Sequence, residues 1–304
     1  MYKVLWFDDE HKTLELIKEE AIIADIQLVG FADAISGLKE LEQSYKEYHA
    51  VLLDGLFFKN EEETGDVQTG EAFSEVAKVL GNLKSQGIII PWFIYSGQKS
   101  FVKDKNILLD VFSKEANANG KVFDKNKDED FIELCNQIKI EADKLPITIA
   151  KNKYSDVFEI FELGYLPDSV EENVLDLLIK PLPQNNSELK GILTNIRSIH
   201  ESCLVQFENI KVIPNSKDSF NRILKHLSGN VSRDRGYLPT TIVFQTPEIE
   251  TLNKWIYFTC GTYIHYLEKQ HHDGYMISNY AVESLKNGLL EILLWFKKTY
   301  KENI

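Results

Sequence analysis

The first 145 residues are built on a repeating pattern in which short apolar runs each stop at a polar or charged residue. Lys3 to Phe7 stops at Asp8-Asp9-Glu10, Ala50 to Leu53 at Asp54-Gly55, Ile88 to Tyr95 at Ser96-Gly97, and Lys121 to Phe123 at Asp124-Lys125. Ile26 to Phe31 is a further apolar run. Helical spacing separates these runs. Leu14, Ile17 and Ala21 share one face of a helix over Leu14 to Ile23, and Ala34 to Tyr45, Glu71 to Leu83, Ile107 to Glu115 and Asp128 to Ala142 also read as helices, with Asp128 as a cap. Five strands alternating with helices require a parallel sheet covered on both faces. The expected fold class is therefore α/β: a doubly wound five-stranded parallel sheet, followed by a mainly α-helical domain.

Open parallel sheets bind ligands beyond the carboxyl ends of their strands. Asp8, Asp9, Asp54, Ser96 and Lys125 all fall at those ends. A carboxylate pair with a third carboxylate on a neighbouring strand offers oxygen ligands to a hard divalent cation such as Mg²⁺. The cation would neutralise charge on a phosphoryl group moving to the third carboxylate, since phosphoryl transfer depends on positioning and electrostatics. The Ser96 hydroxyl and Lys125 ammonium supply a hydrogen-bond donor and a point charge for the phosphoryl oxygens.

The segments Leu5-Trp6-Phe7-Asp8-Asp9-Glu10, Val51-Leu52-Leu53-Asp54, Ile94-Tyr95-Ser96-Gly97 and Val122-Phe123-Asp124-Lys125 occur in the order found in response regulators. Residues 1–145 resemble the receiver domain of these two-component proteins, a flavodoxin-like fold. The resemblance implies that Asp54 accepts phosphate from a histidine kinase or a phosphotransfer protein. It implies that Asp8, Asp9, Asp54 and the backbone carbonyl of Leu56 hold Mg²⁺, and that Ser96 and Lys125 read the phosphorylated state. Several positions depart from the family. Asn126 stands where receivers usually have proline, and Val122 where the switch aromatic lies; Phe123 should face the other side of its strand. The loop after Asp54 is long and acidic, from Glu61-Glu62-Glu63 to Asp66. The competing reading is a phosphate-independent pseudo-receiver that scaffolds a protein partner.

Leu145-Pro146 marks a boundary. Residues 146–187 read as a helical connector ending in the breaker-rich run Lys180-Pro181-Leu182-Pro183-Gln184-Asn185-Asn186-Ser187, and 188–304 as the output domain. Helices are expected over Leu189 to Phe207, Phe220 to Leu227, Pro247 to Leu267 and Tyr280 to Tyr300, with a short strand over Ile242 to Phe244. This half resembles helical HEPN-type domains. HEPN ribonucleases carry an arginine, four to six residues, then a histidine. Arg197 and His200 are too close for that pattern, as are Arg222 and His226. A receiver-controlled ribonuclease is therefore a lesser alternative to a non-catalytic interaction domain. His265, Glu268, His271, His272 and Asp273, and the trio Arg233-Asp234-Arg235, read as surface loop chemistry rather than as sites.

Charge narrows the partners. Of the net −13, residues 1–145 hold 17 basic against 28 acidic groups, and the rest hold 17 against 19. An acidic first half repels a phosphate backbone, so nucleic acid is not expected there. The apolar run after Met1 is too short for a signal peptide, and no stretch reaches the roughly 18 apolar residues of a membrane span. The three widely spaced cysteines suit a reducing cytoplasm. The expected partners are thus a kinase or phosphotransfer protein and an output protein, with a homodimer through the helical half allowed.

Overall fold

The structure, a computed structural model, describes residues 1–55, 57–60, 70–97, 114–230, 242–266 and 277–304. The chain divides into two compact units, Met1–Ile149 and Ala150–Ile304.

The first unit holds strands β1 (Tyr2–Phe7), β2 (Ile26–Phe31), β3 (Ala50–Leu53), β4 (Trp92–Ser96) and β5 (Val122–Asp124). They form one sheet in the order β2-β1-β3-β4-β5, and every pairing is parallel. This is the flavodoxin-like doubly wound order. Leu5, Phe7, Val51, Leu53, Trp92 and Ile94 pack on one side against α2 (Ala34–Ser44) and α3 (Gly70–Ser85). On the other side Val4, Trp6, Leu52, Phe93, Tyr95 and Phe123 pack against α1 (Glu15–Ile23) and α4 (Asp128–Ala142). Both faces being covered, β3 and the last four residues of β1 have no exposed position, which is why they read as unbroken apolar runs. Phe123 lies on the α1 and α4 side, while Val122 packs towards α2 and α3.

Two local readings are corrected. The run Ile88 to Tyr95 is strand only from Trp92. Gly87 closes α3 with φ +84°, the Ile88 amide bonds back to the Leu83 carbonyl, and Pro91 has no N–H for a ladder, although its carbonyl accepts from Val51. Asp128 is not a cap: the cap position is Lys127, with no side-chain capping bond. Asp130 instead accepts from the Asp124 amide at 2.9 Å, tying the helix start to the end of β5. Of the helix expected over Ile107 to Glu115, residues 107–113 lie outside the described residues, and Lys114 and Glu115 are in a turn.

At α2, Asp33 caps by accepting from the Ser36 amide. Gly37 then lies against Phe7, and a methyl there would sit 2.2 Å from Phe7 Cε1. Gly37→Ala should therefore destabilise the first unit by about 1–3 kcal/mol, despite the better helix propensity of alanine. The urea midpoint of the variant checks this, and a midpoint at or above that of the parent would refute it.

Beyond β5, α5 (Pro146–Lys153) runs across the division between the units. The second unit continues with α6 (Ser155–Glu162), α7 (Asp168–Ile179), α8 (Asn186–Asn209), α9 (Phe220–Leu227), α10 (Pro247–Tyr266) and α11 (Asn279–Asn303). Helices α8, α10 and α11 pack on one another, α7 packs on α8, and α6 on α11. Ile196, Ile199, Cys203 and Phe207 of α8, Ile256 and Cys260 of α10, and Leu289, Ile292 and Phe296 of α11 are buried. Ile242 to Phe244 form no strand; the Phe244 and Gln245 amides both bond to the Leu227 carbonyl, which ends α9. Among the described residues, no helix is long and apolar enough to cross a membrane.

Candidate functional site

The sheet register sets the site. Phe7 pairs with Leu53, Leu53 with Ile94, and Ile94 with Val122. The ladder runs one step past the strands, with the Asp8 amide bonding to Phe31 O and the Asp54 amide to Phe7 O, each at 2.9 Å. Asp8 and Asp54 therefore emerge side by side at the carboxyl edge. Ser96 pairs with Asp124, and the Lys125 amide bonds to Ser96 O, so Lys125 enters from the far side.

One carboxylate oxygen from each of Asp8, Asp9 and Asp54 lies within 4.8 Å of the others. Lys125 Nζ donates to Asp8 Oδ2 at 2.5 Å and to Asp54 Oδ2 at 2.9 Å. Glu10 N donates to Asp8 Oδ1 and Gly55 N to Asp54 Oδ1. Asp8 and Ser96 are fully buried and Asp54 nearly so, while Asp9 is half-buried. Leu56, expected to lend a carbonyl, lies outside the described residues, as does the acidic stretch 61–66.

Burial pushes the Asp8 carboxyl up to about 6, and the charge of Asp54 adds to the rise; Lys125 and the Glu10 amide hold it down. Burial works against the Lys125 ammonium, yet Asp54 and Asp8 outweigh it and raise its pKa. The Lys125 ammonium is thus bonded to two of the three carboxylates, Asp8 and Asp54. An all-oxygen donor set of three carboxylates fits a hard divalent cation of the Mg²⁺ class.

Three rim residues were given no role in the site from the sequence. The Trp6 ring lies 6.0 Å from Lys125 Nζ. Asn126 Nδ2 donates to Gly97 O at 3.2 Å and to Asp124 Oδ1, joining the loops after β4 and β5. His11 sits on the turn after Asp9, packed on Gly30. Gly30 is the one legible signal, since a glycine inside a strand marks a close approach.

In the second unit, Arg197 is engaged internally. It donates to Tyr257 O at 2.8 Å, pairs with Glu201, and lies 3.4 Å over the Tyr257 ring. His200 is 1% exposed and bonded to Asn253, and His226 bonds to Val212 O. Arg222 pairs with Asp218. Residues 231–241 and 267–276, with the Arg233-Asp234-Arg235 trio and the Glu268 to Asp273 cluster, lie outside the described residues.

No protein-family model matches the chain, and no curated protein matches it. Among solved structures it is similar to a response regulator receiver domain protein from Clostridium thermocellum. The two are 17% identical, with a TM-score of 0.32, over 47% of this chain and 96% of the other. The doubly wound class rests on the strand pairing itself, independently of that likeness.

Proposed function

We propose that the first unit is a phosphoacceptor receiver and the chain a response regulator, with Asp54 as the residue phosphorylated. The observation that carries this is the meeting of Asp8, Asp9 and Asp54 within 4.8 Å, with Lys125 bonded to Asp8 and Asp54, at the carboxyl edge of a flavodoxin-like sheet. In this reading an Asp54 carboxylate oxygen attacks the donor phosphorus, the bond from phosphorus to the donor atom breaks, and an acyl phosphate remains on Asp54. A divalent cation held by Asp8, Asp9 and Asp54 supplies charge neutralisation. Lys125, freed from the Asp54 carboxylate, contacts a phosphoryl oxygen, and the Ser96 hydroxyl donates to another. The donor is a histidine kinase or a phosphotransfer protein.

The new charge biases the loops after β4 and β5. Asn126 joins them where receivers have proline, and Val122 occupies the switch-aromatic position, so the signal leaves by a route other than an aromatic flip. Residues 150–304 act as a helical, non-catalytic module that meets a protein partner. The burial of His200 and the internal bonds of Arg197 support that role over a nuclease.

Incubation with Mg²⁺ and a small-molecule phosphodonor, followed by intact mass and peptide mapping, tests the reading. One phosphoryl group should appear on Asp54, none without Mg²⁺, and none on Asp54→Asn, with the circular dichroism of the variant unchanged. A folded parent that gains no mass would leave the phosphate-independent scaffold as the better account. Label surviving in Asp54→Asn would place the acceptor elsewhere.

A further inference from the structure

We propose that His11, seated on Gly30, is the positioning residue that fixes the Asp8-Asp9 turn and so sets the affinity of the site for a divalent cation. This rests on the cation-site reading above. His11 Nδ1 donates to the Asp8 carbonyl at 2.8 Å, and the His11 amide donates to the same oxygen at 3.2 Å. A carbonyl can only accept, so Nδ1 carries the hydrogen and the tautomer is fixed. The Asp8 amide is held by Phe31 O and Asp8 Oδ1 by the Glu10 amide. Asp8 is therefore held at its amide, its carbonyl and its carboxylate, and Asp9 is strung between two fixed residues.

The ring reaches this place because β2 offers a bare backbone there. A Cβ on Gly30 would lie 2.4 Å from His11 Cδ2 and 2.6 Å from Cγ. The ring also meets Trp6, the register partner of Gly30 on β1, edge-on, with centroids 6.5 Å apart. His11 is 8% exposed, and burial, the largest influence on it, lowers its pKa. The imidazole is thus packed on the glycine of β2 and against the Trp6 indole, with its Nδ1–H aimed at the main chain of Asp8. Mg²⁺ demands near-ideal octahedral geometry, so a small shift of the turn is felt directly. Partners that orient ligands are commonly worth about 10–100-fold in metal affinity.

The test is a calorimetric Mg²⁺ titration of the full chain, paired with urea unfolding in chelator, for His11→Ala, Gly30→Ala, the double variant and Asp9→Asn. Gly30→Ala should lower both stability and affinity, because its methyl meets the ring. His11→Ala should weaken Mg²⁺ binding about 10–100-fold. In the double variant the methyl occupies the space left by the ring. Stability should return towards that of the parent while the affinity loss stays. A purely packing role predicts the opposite, with both recovering together, and a double variant binding Mg²⁺ like the parent would overturn the proposal. A parent that binds Mg²⁺ no better than Asp9→Asn would sink the cation site itself. Parental binding lost in Asp9→Asn but intact in His11→Ala would sink the role of His11 alone.

Discussion

Replacing Lys125 with methionine is expected to cost the metal-free protein about 3–5 kcal/mol at pH 8, and much less below pH 5 or with saturating Mg²⁺. The Lys125 ammonium is the group bonded to both Asp8 and Asp54, and its side chain is only 10% exposed. Methionine keeps much of the stem beside the Trp6 ring but removes the charge. Two buried carboxylates are then left facing each other. The pH dependence follows from Asp8, whose carboxyl stands at about 6 in the fold against an ordinary 3.8. Between those values the folded state binds the proton more tightly than the unfolded one. Metal-free stability therefore falls as pH rises through that window, by about 3 kcal/mol for the parent. Lys125 holds this carboxyl down, so its removal moves the upper end of the window higher and deepens the loss. Below pH 5 the Asp8 carboxyl is neutral and most of the deficit closes. Mg²⁺ closes it at pH 8 by replacing the missing charge. Urea unfolding of parent and variant at both pH values, with chelator or Mg²⁺, decides the matter. An equal loss in every condition would mean that Lys125 acts by packing and not by charge.

The parts of this site that were legible in the sequence share one physical cause. A parallel strand buried on both faces must be apolar throughout, so its end is marked by the first polar or charged residues, and the sheet brings those ends together. Asp8, Asp54, Ser96 and Lys125 were visible for that reason. His11 was not, because its position depends on a contact with Gly30 across the edge of β2, and nothing in the spacing Asp9-Glu10-His11 announces it. Ile88 to Ile90 misled for a related reason. Their hydrophobicity matches β4, but Gly87 and Pro91 impose a connection, and Ile89 is left 63% exposed. Asp128 has the composition of a cap, yet the acidic residue that fastens the helix start is Asp130, two positions on. In the second unit, 3.6-residue periodicity was enough to find the long helices. It carried no information on the polar groups between them.

Those polar groups give a second large effect, in acid. His200 Nε2 bonds to Asn253 Oδ1 at 2.8 Å, Asn253 Nδ2 donates to Gln245 Oε1, and Gln245 Nε2 donates to Leu224 O and Ser228 Oγ. Because the Asn253 amide already donates to Gln245, its oxygen is the acceptor, and His200 carries its hydrogen on Nε2. Nδ1 is buried with no hydrogen-bond partner among the described residues. A proton added there meets neither solvent nor acceptor. Burial accordingly lowers His200 from 6.5 to about 4, with the nearby Arg197 charge acting in the same direction against the Asn253 bond. The unfolded chain then binds the proton more tightly between pH 6.5 and 4. Stability present above 6.5 is lost as pH falls through that window, by about 3 kcal/mol, opposite in sign to the Asp8 effect in the first unit. Hydrogen exchange read separately in α8 and α10 distinguishes the two. Protection there should fall between pH 7 and 4.5 in the parent. In His200→Gln, which keeps an N–H for Asn253 but has nothing to titrate, the protection should be nearly flat. If the glutamine variant loses protection as steeply as the parent, the acid sensitivity of this unit belongs to another group.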